Sequence, residues 1–302
     1  MSREPMRSVT IKAPAKINLF LEVTGKRPDG YHDLATLFAR ISLSDDLTLR
    51  RTAKAGIELK VSGDPLPVKK EDNIVYKAAA AFFEAFGIKP AVEIKLVKKV
   101  PAGAGLGGGS SDAAAALKGL CRLYGVDAGR NRGKLGAVAL ALGSDVPFFL
   151  TEGAFSAGTG RGELLVPVRA KGRLPRIVLV YPGVPVPTGP VYRALRPSAP
   201  GEIAANLKKF QLLIRSLKSG RPLADWAPLL FNRLEEPVLP DHPAVMRARK
   251  YLIGAGAPAV LMSGSGASVF ALTESRSDAA KISKILKKPD FKVFLVDFLL
   301  KS

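Results

Sequence analysis

The chain has 302 residues, of which 47% are hydrophobic and 24% are charged, and this ordinary globular composition excludes a disordered or fibrous protein. The length predicts roughly two domains instead of one small module. The formal net charge of +20, from 46 Lys and Arg against 26 Asp and Glu, favours partners that carry phosphate or other anionic groups.

Several kinds of site are excluded by residues that the chain lacks. The one cysteine, Cys121, can form no internal disulfide, which predicts a reducing, cytoplasmic location. Two histidines, His32 and His242, are too few for a structural zinc site beside one cysteine.

The sequence shows no signal peptide and no apolar run that could span a bilayer, so no membrane partner is expected. The basic residues are spread along the chain, which argues against nucleic-acid binding.

The chain begins with alternating apolar residues between Ser8 and Val23, a pattern that predicts two strands broken at 13–15, where a proline removes a ladder donor. Lys16 stands at the start of the second strand, where it is either a solvated side chain or a functional cation. Arg27–Gly30 is a turn, because proline and glycine suit its central positions. Tyr31 and His32 follow the turn directly.

Further strands and one helix come before the glycine-rich part of the chain. Apolar alternation predicts strands over residues 37–43, 46–50, 57–61 and 92–97. Residues 71–86 form a helix pattern that has an Asp/Asn start and a stop at Gly87.

The stretch Pro101–Asp112 lies between that last strand and an Ala-rich helix pattern over 113–124 that ends before Gly125. Because glycine accepts positive φ, successive N–H groups of such a loop can turn together toward an anion. Ser110, Ser111 or Asp112 is expected to cap the helix, whose N-terminus adds further donors. The alternative is a flexible glycine connector. The backbone groups that would hold a phosphate belong to Pro101, Ala102, Gly103, Ala104, Gly105, Leu106, Gly107, Gly108, Gly109, Ser110 and Ser111.

A second candidate group is Asp145, in the segment Gly143–Phe149 after a short helix over 134–142. Its apolar neighbours suit a carboxylate that accepts a proton from an alcohol. A helix cap or a turn residue is the other interpretation of Asp145.

The second half begins in the Gly-, Arg- and Pro-rich stretch 153–176, and we predict domains of residues 1–165 and 166–302. A buried strand over 176–181 is followed by helix patterns and by two strands around Ser263–Gly266, which is either a plain hairpin loop or part of a site. The predicted helices cover 191–196, 202–218, 243–253 and 276–287, and the remaining strands cover 258–262, 268–272 and 291–298. The overall class is α+β.

These observations together indicate phosphoryl transfer to a small molecule. That reaction needs positioning, charge stabilisation and a group that receives the hydroxyl proton. The glycine loop, Lys16 and Asp145 could supply these three functions, so the residues alone predict a small-molecule kinase.

Three segments resemble the signature motifs of the GHMP small-molecule kinases: Pro14–Asn18, Gly105–Ser111 and Met262–Ala267. Four further segments, over 13–21, 27–32, 143–149 and 182–188, are similar to one branch of that family. The branch uses ATP to phosphorylate the 2-hydroxyl of a cytidine-diphosphate-linked methylerythritol in the non-mevalonate route to isoprenoids. The resemblance implies an N-terminal domain like ribosomal protein S5 and a ferredoxin-like C-terminal domain.

The resemblance also implies a role for each candidate residue. Asp145 would be the general base, Lys16 would stabilise charge, and Pro101–Ser111 would wrap the ATP phosphates together with Mg²⁺. Base recognition would fall to Asn18, Tyr31, His32 and Tyr192. The methylerythritol end and the reacting groups would meet Thr188, Gly264, Ser265 and Gly266. No side chain is singled out as a metal ligand.

The partners implied are therefore ATP and a cytidine diphosphate alcohol, with no nucleic acid and no membrane. The oligomeric state is left open between a monomer and a weak dimer. Two alternatives remain: another GHMP kinase of the mevalonate or homoserine type, and a basic RNA-binding protein.

Overall fold

The computed structural model describes residues 6–64, 69–286 and 290–300, which contain ten α-helices and eleven strands. The strands are β1 (Ser8–Lys26), β2 (His32–Arg51), β3 (Gly56–Gly63), β4 (Ala91–Lys98), β5 (Phe155–Thr159), β6 (Leu164–Val168), β7 (Arg176–Tyr181), β8 (Phe231–Asn232), β9 (Ala259–Met262), β10 (Val269–Thr273) and β11 (Lys292–Val296). The helices are α1 (Ile74–Phe86), α2 (Gly108–Tyr124), α3 (Arg132–Leu142), α4 (Val146–Leu150), α5 (Thr188–Ala194), α6 (Pro200–Ser219), α7 (Leu223–Trp226), α8 (Glu235–Asp241), α9 (Pro243–Gly254) and α10 (Arg276–Ile285).

These elements form two compact units that alternate along the chain. Unit 1 contains residues up to Ala15, Leu43–Ala102 and Gly107–Thr151, and unit 2 contains Lys16–Ser42, Gly103–Leu106 and the chain from Glu152 onward. The division into domains of residues 1–165 and 166–302 stays a prediction, because compact units and domains need not coincide.

Unit 1 packs helices against three paired strands. β3 runs parallel to β4, and β4 pairs antiparallel with the second half of β2, from Asp46↔Val97 to Arg51↔Val92. The side chains of Phe82, Leu117 and Leu120 on α1 and α2 are fully buried. Burial of such aromatic and aliphatic side chains is the main favourable contribution to folding of this unit.

Unit 2 contains an antiparallel sheet in the order β11-β7-β10-β9. Its central strand β7 is the buried strand predicted over 176–181, and all its residues from Ile177 onward are buried. The first half of β2 pairs with β5, and β5 pairs with β6. The stretch 153–176, where the domain boundary was predicted, contains this β5–β6 hairpin, whose turn includes Gly160 and Gly162 at positive φ.

The strand predictions near the N-terminus need two corrections. β1 is one strand across Pro14, because the burial of Ala13 and Ala15 outweighs the loss of one ladder donor. The two strands predicted over 37–43 and 46–50 are likewise one strand, β2. The helix predicted over 71–86 begins later, at Ile74, because residues 70–72 form a separate 3-10 turn. Its Asp/Asn start and its stop at Gly87 are confirmed, since Asn73 Oδ1 accepts from Val75 N and Gly87 is left-handed.

The capping prediction for the second helix is wrong. α2 begins at Gly108, and the residue before it, Gly107, is left-handed with φ of 66° and provides no side-chain cap. Ser110, Ser111 and Asp112 therefore lie inside the helix. Cys121 is buried as expected, and the end of the last predicted helix, at residue 287, lies outside the described residues.

A buried ion cluster fixes the start of α2 within unit 1. Lys98 Nζ donates to Asp112 Oδ2 at 2.7 Å and also to Asp45 Oδ2. Burial would lower the pKa of Lys98, but the carboxylates of Asp112 and Asp45 outweigh it and raise that pKa. Burial raises the pKa of Asp112 to about 8, against the attraction of Lys98. The two acids therefore depend on one shared cation.

Replacing this cation tests the cluster. Lys98→Met removes the cation that the buried side chains of Asp45 and Asp112 share, and should lower the free energy of unfolding by about 3–5 kcal/mol, as expected when one partner of a buried pair is lost. The matched control is Lys99→Met, because Lys99 pairs with Asp46 at 2.6 Å and its side chain is 53% exposed. That change should cost at most about 1 kcal/mol. Urea unfolding at pH 7 measures both, and equal losses would contradict the assignment.

Candidate active site

Lys16 and Asn18 lie on the same side of β1, because alternate residues of a strand share a face. Both side chains are buried, with 5% and 1% of their surface exposed. Lys16 Nζ donates to Asn18 Oδ1 at 2.7 Å, and Asn18 Nδ2 donates to Thr36 Oγ1 at 2.7 Å. Thr36 Oγ1 donates in turn to Phe20 O at 2.7 Å. This chain of donors fixes the amide of Asn18 with its oxygen toward the ammonium group.

The glycine loop is held by its carbonyl groups. The carbonyls of Gly103, Ala104, Gly105 and Leu106 accept from Val186 N, Ser268 N, Ser263 Oγ and Lys16 N, at 2.9–3.1 Å. All of these atoms belong to unit 2. In a trans peptide the N–H group points away from the preceding C=O. The amides of Ala104, Gly105 and Leu106 therefore point away from the groups that hold the loop.

The backbone conformation of the loop alternates in sign. Gly103 and Gly105 have φ of 62° and 72°, whereas no described non-glycine residue has positive φ, so Ala104 and Leu106 do not. A backbone whose φ alternates in sign can gather successive N–H groups into a concave nest that suits an anion. The methyl group of Ala104 causes no strain there, since it occupies a position of negative φ.

Gly105 is required by space as well as by conformation. A Cβ atom built on Gly105 would lie 2.0 Å from Ser263 O and 2.8 Å from Gly266 O. At Gly103 it would lie 2.7 Å from Cβ of Pro185. The loop thus packs too closely against the rest of unit 2 to accept side chains at these two positions.

The segment Ser263–Gly266 connects the antiparallel strands β9 and β10, so it is a hairpin loop as one interpretation expected. It also lies at the candidate site. A Cβ atom on Gly264 would be 3.1 Å from Lys16 Nζ and 3.4 Å from Asn18 Oδ1. Ser265 Oγ lies 2.9 Å from Oγ1 of Thr188, the first residue of α5. The structure therefore brings Gly264 to Lys16, and Thr188 to the next residue of the same loop.

Of the three ring residues expected to bind a base, two stack on each other and the third contacts an arginine. The rings of His32 and Tyr192 stack with centroids 5.2 Å apart and an interplanar angle of 29°. The guanidinium carbon of Arg161 lies 4.6 Å from the ring centroid of Tyr31, which is 53% exposed. Burial, helped by the charge of Lys26, lowers the pKa of His32, so His32 is neutral at pH 7. The role of Tyr31 and Tyr192 on opposite faces of one base stays a prediction.

Asp145 belongs to unit 1 and immediately precedes α4. It lies in a turn at the N-cap position of that helix, as the alternative interpretation expected, but its side chain makes no capping hydrogen bond. The next turn contains the buried side chains of Phe148 and Phe149. Its predicted partnership with Lys16 stays a prediction.

Sequence reasoning missed several residues that shape this region. Thr36 orients Asn18, and Arg161 covers the ring of Tyr31. Asn232 donates to two carbonyls at the start of the Ser263–Gly266 loop. No short motif marks these residues, since each contact joins parts of the chain that are distant in sequence.

The donor set near the loop suits a metal ion that is carried mainly by phosphate. Ser111 Oγ is buried without a hydrogen-bond partner in the described structure. Within the described ranges, no group of three or more His, Cys, Asp or Glu side chains could hold a metal ion.

None of the helices described is long and apolar enough to cross a membrane.

Two family models match the chain. The N-terminal domain of the GHMP kinases matches residues 73–153, and the C-terminal domain of the GHMP kinases matches residues 204–290. Together they cover more than half of the chain.

Individual relatives extend this similarity over nearly the whole length. The chain is 42% identical over 291 residues to a protein of Pelotomaculum thermopropionicum named 4-diphosphocytidyl-2-C-methyl-D-erythritol kinase, and the match covers 95% of this chain and 96% of the relative. A crystal structure of a 4-(cytidine 5'-diphospho)-2C-methyl-D-erythritol kinase is 35% identical with a TM-score of 0.74, covering 95% of this chain and 99% of the other. A homoserine kinase from Cytophaga hutchinsonii superposes with a TM-score of 0.80 at 22% identity, covering 100% of this chain and 98% of the other, and shows the fold alone.

The close packing of Gly105 gives a direct test of the loop geometry. Gly105→Ala adds a methyl group at φ of 72° and 2.0 Å from Ser263 O, so the loop must move. We expect the free energy of unfolding to fall by roughly 2–4 kcal/mol from backbone strain and the displaced Ser263–Gly105 hydrogen bond. Urea unfolding measures this loss.

The control for this experiment is Gly109→Ala, in the first turn of α2. The atom nearest to its added Cβ would be Ile74 Cγ2 at 3.6 Å, an ordinary contact. Alanine favours a helix over glycine, so stability should stay constant or rise by up to about 1 kcal/mol. A Gly105→Ala protein as stable as this control would refute the close packing of the loop.

Proposed function

The chain belongs to the GHMP kinases, as a member of the 4-diphosphocytidyl-2-C-methyl-D-erythritol kinase family, and on that premise we propose that it phosphorylates 4-diphosphocytidyl-2-C-methyl-D-erythritol with ATP. The acceptor is the 2-hydroxyl group, and the reaction serves isoprenoid precursor synthesis by the non-mevalonate route. The observation that carries the proposal is the amide nest at Gly103–Leu106, held directly against β1 by the bond from Lys16 N to Leu106 O.

The nest supplies what a triphosphate needs. Three amides that point away from their anchoring groups can donate to phosphate oxygens without a change in backbone conformation. Gly107–Ser110, at the N-terminal turn of α2, add further donors and a partial positive charge. Ser111 N already donates to Gly107 O, so Ser111 would contribute its hydroxyl group. We assign ATP binding to Pro101–Ser111 on this basis.

Lys16 supplies the fixed positive charge. The residue is 5% exposed, and its ammonium group is oriented by Asn18. In a site of low dielectric such a charge stabilises negative charge that develops on the transferring phosphoryl group. Because the ammonium is already held by a hydrogen bond, little reorganisation is required during reaction.

Asp145 is assigned as the general base. It accepts the proton of the substrate hydroxyl while that oxygen forms its bond to the γ-phosphorus atom, and the bond from phosphorus to the bridging oxygen of ADP breaks. The substrate oxygen thus loses its proton to Asp145 and gains the phosphoryl group, and ADP is the leaving group. Thr188, Gly264, Ser265 and Gly266 position the methylerythritol end.

Base recognition is assigned to the rings of Tyr31, His32 and Tyr192 and to the amide of Asn18. A neutral His32 carries one donor and one acceptor, which suits the edge of a cytosine. Stacking on Tyr31 and Tyr192 would contribute about 1–3 kcal/mol per base contact. The basic composition of the chain would raise the encounter rate with two phosphorylated substrates.

Mg²⁺ fits the loop if phosphate oxygens and water are its main ligands, as is usual for this ion. The buried hydroxyl of Ser111 would be the protein contact. When bound, the ion would neutralise charge on the phosphates. We also propose a cytoplasmic enzyme whose partners are these small molecules, without nucleic acid or membrane.

The test is turnover by the purified chain, followed by ADP release. We expect activity with 4-diphosphocytidyl-2-C-methyl-D-erythritol and none with mevalonate or homoserine, since neither of these carries a cytosine. Turnover of mevalonate or homoserine alone would reject the substrate. Tight, salt-dependent RNA binding without any turnover would reject the kinase.

Removing the proposed base tests the mechanism. Asp145→Asn keeps the size of the side chain but cannot take the proton, so kcat should fall by about 10²–10⁴-fold while ATP affinity changes little. Asp127→Asn is the control, because Asp127 is an exposed turn residue that accepts from Gly129 N and Arg130 N. Steady-state kinetics measure both. An Asp145→Asn enzyme with wild-type kcat would remove Asp145 from the role.

Removing one aromatic ring tests base recognition. Tyr31→Ala should raise KM for the cytidine substrate by roughly 5–100-fold, equivalent to about 1–3 kcal/mol of lost stacking, and leave KM for ATP unchanged. Tyr251→Ala is the matched control, because this tyrosine is also exposed and its ring contacts Phe291. Kinetics with both substrates varied give the two KM values. An unchanged KM for the cytidine substrate would exclude Tyr31 from stacking.

A further inference from the structure

A two-residue strand lies beside the strand that carries Lys16. Phe231 and Asn232 of β8 pair in parallel with Phe20 and Leu21 of β1. Arg233 N continues the pairing by donating to Leu21 O at 2.8 Å. Asn232 is 4% exposed, so its amide group must find its partners inside the protein.

Those partners are at the start of the Ser263–Gly266 loop. Asn232 Nδ2 donates to Met262 O and to Gly264 O, each at 2.8 Å. Asn232 Oδ1 accepts from Leu234 N at 3.0 Å. Both amide hydrogens and the oxygen are thereby used, and the opposite orientation of the amide would set its oxygen against two carbonyls. The side chain therefore has one favourable orientation.

Glu235 holds the same backbone from the other side of Met262. Glu235 Oε1 accepts from Met262 N at 2.8 Å. Burial raises the pKa of Glu235, whereas the bond from Met262 N and the charge of Arg249 lower it. Glu235 Oε2 also lies 3.8 Å from Arg249 Nε. The bond from Met262 N needs an acceptor oxygen, which an amide side chain also offers. Asn232 and Glu235 together bind the two peptide groups that flank Met262, and we name this pair the clasp.

The clasp fixes a loop that contacts two parts of the candidate site. Gly264, whose carbonyl Asn232 binds, approaches Lys16 Nζ so closely that a Cβ atom there would lie 3.1 Å away. Ser263 Oγ donates to Gly105 O at 3.0 Å, so the same loop holds the amide nest. A shift of the Met262–Gly264 backbone would therefore move the surroundings of the ammonium and of the nest together.

We propose that Asn232 and Glu235 are positioning residues for phosphoryl transfer, which hold the Ser263–Gly266 loop against Lys16 and Gly105. The proposal rests on the function proposed above. Both side chains bind backbone atoms at Met262 and Gly264, so both act through the loop. Misplacement of reacting groups by about 1 Å can cost about 100-fold in rate, so small displacements of this loop are sufficient to matter.

The first test uses Asn232→Asp, which is nearly isosteric but replaces two donors by an oxygen. We expect kcat per folded molecule to fall by about 10–100-fold, while KM for the cytidine substrate stays within about 3-fold, because Tyr31 and His32 are not displaced. Asn206→Ala is the matched control. Asn206 is also a buried amide, and its Nδ2 donates to Glu22 Oε2 at 2.6 Å, away from the loop.

The second test separates the acceptor from the charge at Glu235. Glu235→Gln keeps an oxygen for Met262 N and should retain kcat within about 3-fold, whereas Glu235→Ala should lose roughly as much as Asn232→Asp. This pair also keeps the proposal testable if Asn232→Asp fails to fold. Equal kcat in the Gln and Ala variants would overturn the role of Glu235.

Hydrogen exchange of residues 262–268 provides a readout that does not depend on activity. Asn232→Asp should accelerate exchange in this segment and leave the strands β7 and β10 protected, whereas Asn206→Ala should not. If the wild-type chain fails to turn over the cytidine substrate, the proposed function is rejected and exchange still decides whether the clasp holds the loop. The proposal is overturned if Asn232→Asp and Asn206→Ala lose stability equally while both keep wild-type kcat and exchange in residues 262–268.

Discussion

The carbonyl anchors of the glycine loop are the constraint on which the site depends. Four successive carbonyls, from Gly103 to Leu106, are bound by groups of unit 2. A peptide group whose oxygen is held must direct its N–H the other way. The directions of these amides are therefore set during folding, so the phosphate binding proposed for this loop would need no ordering of the backbone. That would reduce the entropy cost of binding and favour the transition state.

The same anchors explain where glycine is needed and where it is not. Gly105 sits between the carbonyls of Ser263 and Gly266, with no room for a side chain. Ala104 is tolerated beside it because its φ is not positive. Lys16 joins the arrangement twice, since its backbone N–H holds Leu106 O while its ammonium is held by Asn18. One strand thus positions both the nest and the charge beside it.

Local patterns predicted much of this chain because local forces decide those elements. The sequence between residues 92 and 124 shows a strand, a glycine loop and a helix, and Asn73 and Gly87 mark the ends of α1. The capping prediction at Ser110 was wrong because the left-handed Gly107 lets the helix begin earlier. The GHMP kinase resemblance, confirmed by the family models, gave the fold and the chemistry.

The rest could not be predicted, because it consists of contacts between segments that are distant along the chain. Some donors that hold the loop lie far beyond it in sequence. Ser263, for example, is 158 positions after Gly105, whose carbonyl it binds. Asn232 and Glu235 carry no motif that marks them as neighbours of Met262. Their function in the structure depends on the parallel pairing of β8 with β1, which a two-residue strand does not reveal in sequence.

The central claim is that the anchored loop binds the triphosphate of ATP through its amides. It is tested most directly by following the amide resonances of Ala104, Gly105 and Leu106 while a non-hydrolysable ATP analogue is added to the full chain. The account predicts saturable shifts at all three amides, with one dissociation constant. Binding of the analogue that shifts resonances elsewhere and leaves these three unchanged would contradict it.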